Sequence, residues 1–273
     1  MIQYPAAVNG VLTRVLAAGS GDDHLVLVHG VGARCDRWSR NIDVLAAAGW
    51  NVHAFDLPGH GLAQKGDGPD YSVPGYARFV DGFLDLIGAE TAVLVGTSLG
   101  GHTVATLACD RPERVRALVL VGSIGLIPWG AERRAATRGR LRDTSAESIE
   151  NKLRLLVHDR HLVTDGWLRE ETLINNSPGA AESFHQISDY VADRIDDDVV
   201  GARLASLEGR PPVLLIWGEE ERAVPLETGR AAHELIQGSE LAVIAAASHA
   251  PYFERPEEFN RLLLDFLDRA ARS

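Results

Sequence analysis

Six short, nearly unbroken aliphatic runs, separated by stretches with helical spacing, limit this chain to one kind of architecture. The runs are HLVLVH (24–29), NVHAF (51–55), TAVLV (91–95), RALVLVG (116–122), PVLLIW (212–217) and ELAVIA (240–245). A strand wetted on one face alternates apolar with polar residues, whereas a strand covered on both faces does not. Between the runs, Trp38, Ile42 and Leu45 share a helical face, as do Tyr76, Val80, Phe83 and Ile87. Near the end of the chain Phe259, Leu262, Leu263 and Phe266 form a third such face. This alternation predicts an α/β fold with a mostly parallel central sheet and helices on both faces. The 273 residues, 45% of them hydrophobic, suffice to fill one large domain of that kind.

The rhythm stops between 123 and 208, where the sequence is charged, helix-like and without strand signals. A connection that long is expected to carry structure of its own. It predicts a helical lid inserted over the carboxyl edge of the sheet, where open α/β sheets bind ligands. The expected division is therefore a core made of 1–122 and 209–273, with a lid from 123 to 208.

Charge and cysteine usage narrow the function. A net charge of −11 argues against a nucleic acid or an anionic membrane as partner. The Arg-rich run from Arg133 to Arg142 lacks interleaved aromatics and reads as a solvated helix face. Cys35 and Cys109 are too few for a disulfide framework, the first ten residues show no signal-peptide pattern, and the longest apolar stretch, ALVLVGSIGLIPWGA, is broken by Gly and Pro. A soluble cytoplasmic protein acting on a small molecule is expected, and assembly into a homo-oligomer is left open. Asp196, Asp197 and Asp198 read as a solvated connection. His158 and His161 have no convincing third ligand, so no metal or other cofactor is expected.

The chemistry centres on VGTSLGG. Here a buried strand passes into a helix through one sharp turn, with Ser98 between Gly96 and Gly100. A Cβ at either glycine would clash with the neighbouring strand or helix, and the strained turn lifts the serine hydroxyl above the sheet. This is the G-x-S-x-G nucleophile elbow, and the helix that follows aims its N–H groups at the site. A serine hydroxyl needs a base, and the base an orienting carboxylate, expected in the order acid then histidine after later strands. Glu219, Glu220 and Glu221 follow the strand at 212–217, and His249 follows the strand at 240–245. His29, His53, His60 and His102 compete for the base role but lack that position. The oxyanion needs two backbone donors. The N–H of Leu99 is one, and Val31 in the glycine-rich loop HGVGARCDRW is the choice for the other, with Gly30 allowing close approach. Thr97, Trp129, Leu155, Trp167 and Phe184 are candidate pocket residues.

Taken together, VLVHGVG, DLPGHG, VGTSLGG, WGEEERAVP and SHAPYFERPEEFNRLLLDFL resemble, in order, the landmarks of the α/β-hydrolase superfamily. The resemblance implies that the triad acid stands three residues after Gly218, at Glu221. Glutamate replaces the usual aspartate there, and Glu220 stays open as the alternative. Residues 147–168 resemble the lid of the meta-cleavage product hydrolases, which cleave a carbon–carbon bond in vinylogous diketone acids. Three positions depart from that family's pattern: Thr97 stands for asparagine, Ala250 for an aromatic residue, and Glu170 near the place of a carboxylate-binding arginine. The adjacent Arg169 is the candidate to take that arginine's place. The first reading is accordingly a cofactor-free serine hydrolase of small esters, lactones or similar acyl substrates. The alternatives are a carbon–carbon bond hydrolase and a non-catalytic receptor on the same fold.

Overall fold

The computed structural model describes residues 1–271, so Arg272 and Ser273, the end of the expected core span, lie outside it. Its eight strands are β1 (Ile2–Val8), β2 (Val11–Ala18), β3 (His24–Val28), β4 (Asn51–Phe55), β5 (Ala92–Thr97), β6 (Val115–Val121), β7 (Val213–Gly218) and β8 (Glu240–Ile244). They lie in the order β1-β2-β4-β3-β5-β6-β7-β8. From β4 to β8 all pairings are parallel, while β1 and β2 are antiparallel to their neighbours.

The continuous aliphatic runs have the expected cause. Val26, Val28, Leu94, Leu118 and Leu120 face one core, and Leu25, Leu27, Val93, Val95, Val119 and Val121 face the other. The first core is closed by α2 (Val73–Leu86) and α3 (Leu99–Asp110), the second by α1 (Ile42–Ala47) and α11 (Pro256–Ala270). Burying each such side chain contributes about 1.5–3 kcal/mol.

The β1–β2 hairpin is not among the strands expected from the sequence. Its signal is Asn9-Gly10, a two-residue turn in which both residues have positive φ, 50° and 81°, joining Val8 to its register partner Val11. The edge position leaves Ile2 and Leu12 exposed, which blurs the hydrophobic pattern.

Between β6 and β7 run α4 (Ala131–Arg142), α5 (Ala146–Leu156), α6 (Asp165–Asn175), α7 (Ala180–Asp193) and α8 (Gly201–Ser206), with no strand among the described residues. The last of these packs against α3 and α9 (Leu226–Leu235), on the core side. The arginines of α4 are more engaged than a solvated face implies. Arg138 and Arg142 reach Asp189 on α7, Arg138 also reaches Asp193, and Arg134 pairs with Asp196. Asp196 in turn accepts the Trp129 and Gly130 N–H groups, and Asp198 accepts the Tyr190 hydroxyl. The acidic triplet is thus a built junction rather than a solvated connection. No helix among the described residues is long and apolar enough to cross a membrane.

Candidate active site

Ser98 sits between β5 and α3 with φ 54° and ψ −117°, a conformation that L-residues rarely adopt. The flanking glycines permit it by close approach: a Cβ on Gly96 would collide with the Gly100 carbonyl, and one on Gly100 with the carbonyls of Val28 and His29. The Ser98 N–H donates to the Val121 carbonyl at 2.9 Å, which ties the turn to the tip of β6.

Glu221 and His249 arrive at the same tip from β7 and β8. The His249 Nδ1–H donates to Glu221 Oε2 at 2.7 Å, leaving Nε2 as the basic ring nitrogen. The other carboxylate oxygen, Oε1, accepts the backbone N–H groups of Ala223 (2.6 Å) and Val224 (3.1 Å). Burial pushes the Glu221 carboxyl up, but His249 and these two N–H groups outweigh it and hold the group below the ordinary carboxylate range. Glu219 and Glu220 are exposed, their backbone N–H groups bonded to the carbonyls of Ile244 and Ala247. Of Glu221 and its alternative Glu220, Glu221 is the one that meets His249.

The meeting point is Gly122, whose φ of 49° follows directly on Val121. A Cβ there would lie 3.0 Å from both Glu221 Oε2 and His249 Nδ1. The serine turn and the acid–base pair therefore converge on one β6 tip. Gly122 was not singled out in the sequence, because nothing around it distinguishes it from an ordinary strand-ending glycine.

The loop after β3 approaches from the opposite side. A Cβ on Gly30 would lie 2.9 Å from the Ser98 Cβ, so the loop backbone passes directly beside the serine. His29 fixes this loop. Its Nε2 accepts the Leu57 N–H at 2.9 Å, so its Nδ1 carries the proton and donates to the Gly30 carbonyl at 2.8 Å. Burial keeps this ring uncharged. The N–H groups of Val31 and Leu99 have no acceptor among the described residues, as is also true of neighbouring Gly32 and Gly100, and two such donors beside a serine can receive a developing oxyanion. The other histidines are structural. Burial pushes His53 down to about 4 and His60 to about 3, and His102 donates to the Asp198 carbonyl at 2.7 Å.

Among the expected pocket residues, Thr97 is buried beside Ser98, and Phe184 is buried on α7 with its ring against His60 and the Lys152 ammonium. The Leu155 carbonyl accepts the Ser248 hydroxyl at 3.2 Å, next to His249. Trp129 lies against Arg133, and Trp167 against Phe253 and Arg37. Arg169 is exposed on α6 and does not take the place of a buried anion-binding arginine. Glu170 and Glu171, beside it, pair with Arg34, and Glu171 also with Arg37. Two features escaped the sequence. Arg34 and Arg37 are buried in the loop after β3, and Glu254 on α10 (Pro251–Glu254) accepts the N–H groups of Ser248, His158 and Asp159.

A serine at a positive-φ turn, an imidazole braced by a buried carboxylate and two unengaged amides can activate a hydroxyl and stabilise the charge that forms when it attacks a carbonyl. The comparisons agree with this chemistry. Residues 23–256 match the model of the alpha/beta hydrolase fold family. The chain is 32% identical over 262 residues, 91% of its length and 88% of the other's, to the 2-hydroxy-6-oxononadienedioate/2-hydroxy-6-oxononatrienedioate hydrolase of Paraburkholderia phymatum. Its structure superposes with a TM-score of 0.85 and 28% identity on the meta-cleavage product hydrolase of Pseudomonas fluorescens IP01, covering 98% of each chain. A bacterial membrane phospholipase A superposes with a TM-score of 0.84 at 25% identity, over 100% of this chain and 87% of the other.

Proposed function

The chain belongs to the α/β-hydrolase fold family and is a hydrolase, and from that premise we propose that it cleaves a carbon–carbon bond beside a carbonyl in a conjugated oxo acid. This was the second reading of the sequence and now stands ahead of ester hydrolysis. The observation that carries it is the 32% identity over 91% of the chain to a hydrolase of 2-hydroxy-6-oxo dienedioates.

In the proposed mechanism the enol proton of the substrate first moves to the carbon that will depart, giving a ketone that can hold the electrons of the broken bond. Ser98 Oγ then attacks the neighbouring carbonyl carbon while His249 Nε2 takes its proton. Glu221 fixes the imidazole and balances its charge. The Leu99 and Val31 N–H groups hold the oxyanion. Collapse breaks the carbon–carbon bond, and the leaving carbanion takes the proton from His249. A water, deprotonated by the same ring, releases the acyl group from Ser98. The lid is assigned to Ala131–Asp193, narrower than 123–208, because α8 packs on core helices.

Two assays test this reading. A coloured oxo-dienoate should bleach with the wild type and persist with Ser98→Ala. Turnover of p-nitrophenyl esters without any bleaching would return ester hydrolysis, which the likeness to a phospholipase favours, to first place. A fluorophosphonate that fails to label Ser98 would leave only the receptor reading.

A further inference from the structure

Lys152, on α5, is a buried cation that the mechanism above does not use. Its Nζ is closed off from solvent and has no hydrogen-bond partner among the described residues. Its neighbours are the Phe184 ring, whose centroid is 5.8 Å away, and the loop after β3, where a Cβ on Gly32 would lie 3.6 Å from Nζ. Gly32 directly follows Val31, the assigned oxyanion donor. One turn further along α5, the Leu156 carbonyl accepts the Ala250 N–H at 3.1 Å and the Leu155 carbonyl accepts the Ser248 hydroxyl. The helix that carries Lys152 is thus bonded on both sides of His249, and its ammonium points at the loop that lines Ser98.

We propose that Lys152 receives a carboxylate of the substrate, at a distance from the carbonyl that Ser98 attacks. This deepens the reading above and rests on it. The nearby carboxylates are already engaged: Glu171 by Arg34 and Arg37, and Asp143 by the Ser145 N–H. Burial holds the Lys152 ammonium below its ordinary range, against the pull of Glu171 and Asp143. A buried charge without a partner is costly, and an arriving carboxylate relieves that cost. A lone ammonium, without the fork of a guanidinium, suits a single monoanion and is less selective for its orientation.

The test compares the p-nitrophenyl hemiester of glutaric acid with neutral p-nitrophenyl valerate, on the full-length wild type, Lys152→Met and Lys152→Arg. The wild type should prefer the hemiester. In Lys152→Met the hemiester-to-valerate ratio of kcat/KM should fall about 10- to 100-fold, the change carried by KM, as for loss of a charged hydrogen bond. Lys152→Arg should restore most of it. An equal loss on both esters, or no loss, overturns the proposal. A measurement on the wild type alone covers failure of a variant to fold: glutarate should inhibit competitively and valeramide weakly, and equal inhibition overturns the proposal. Hemiester preference without dienoate bleaching would retire the carbon–carbon reading and keep the lysine, whereas bleaching without hemiester preference would do the reverse.

Discussion

Glu221, against His249, and Lys152, against the loop after β3, are both charged side chains drawn in from the surface, and the molecule treats them in opposite ways. On the β7–β8 side, each Glu221 oxygen is filled, one by His249 and the other by two backbone N–H groups. On the β3–α5 side, Arg34 and Arg37 are ion-paired with Glu170 and Glu171, whereas Lys152 Nζ is buried without a hydrogen-bond partner among the described residues. The first region is complete before any substrate arrives. The second carries one buried ammonium that no described group satisfies, and such a group calls for a partner. The first arrangement positions the chemistry and the second selects what undergoes it.

Several substitutions can break this contrast. The largest effect is expected from Ser98→Ala and His249→Ala, each lowering kcat on the best substrate by about 10⁴–10⁶-fold with the melting curve retained. Next, Glu221→Gln should cost about 10³–10⁴-fold in kcat, because the base loses its partner but not its place. Glu220→Gln, at an exposed site, should leave kcat near that of the wild type, and the reverse result would mean that the filled side has been assigned to the wrong carboxylate. Gly122→Ala should lower kcat about 10- to 100-fold by pushing on the His249–Glu221 pair, and should also lower stability by about 1 kcal/mol because its φ of 49° suits glycine. In the other region the sign should reverse. Lys152→Met replaces an unpaired buried cation with an apolar chain, and should raise stability by about 1–3 kcal/mol in denaturant titrations at neutral pH; a loss of stability would show that the ammonium is satisfied after all. The smallest effect concerns pH. The Glu221 carboxyl is held below its ordinary value of 4.5, so its contribution to stability is present above that value and disappears as pH falls through the folded-state value. Thermal melts between about pH 6 and 3 should therefore fall less steeply for Glu221→Gln than for the wild type.

How legible each region was follows from the same contrast. The filled side depends on local backbone rules: strand tips, a glycine-flanked turn and fixed offsets after strands. Those rules leave marks in the sequence, so Ser98, His249 and the candidate acids were found from spacing. The choice between Glu220 and Glu221 was open because it turns on which way one side chain points. The unsatisfied side is assembled across long separations, Gly32 with Lys152 and Arg34 with Glu170, and nothing near any of these residues announces its partner. A lysine at position 152 looks like any polar residue on an amphipathic helix until α5 is docked. The core strands were legible because burial on both faces leaves unbroken aliphatic runs. The β1–β2 hairpin was missed because an edge strand needs no such run, although its Asn9-Gly10 turn was there to be read.

The docking of α5 also bears on timing. Its last carbonyls are bonded to Ser248 and Ala250, and Glu254 clasps the segment just beyond it at His158 and Asp159. A substrate that enters by swinging this helix aside must also tug on the loop that holds the imidazole. Any displacement of that helix would be transmitted through these bonds to the segment that carries His249.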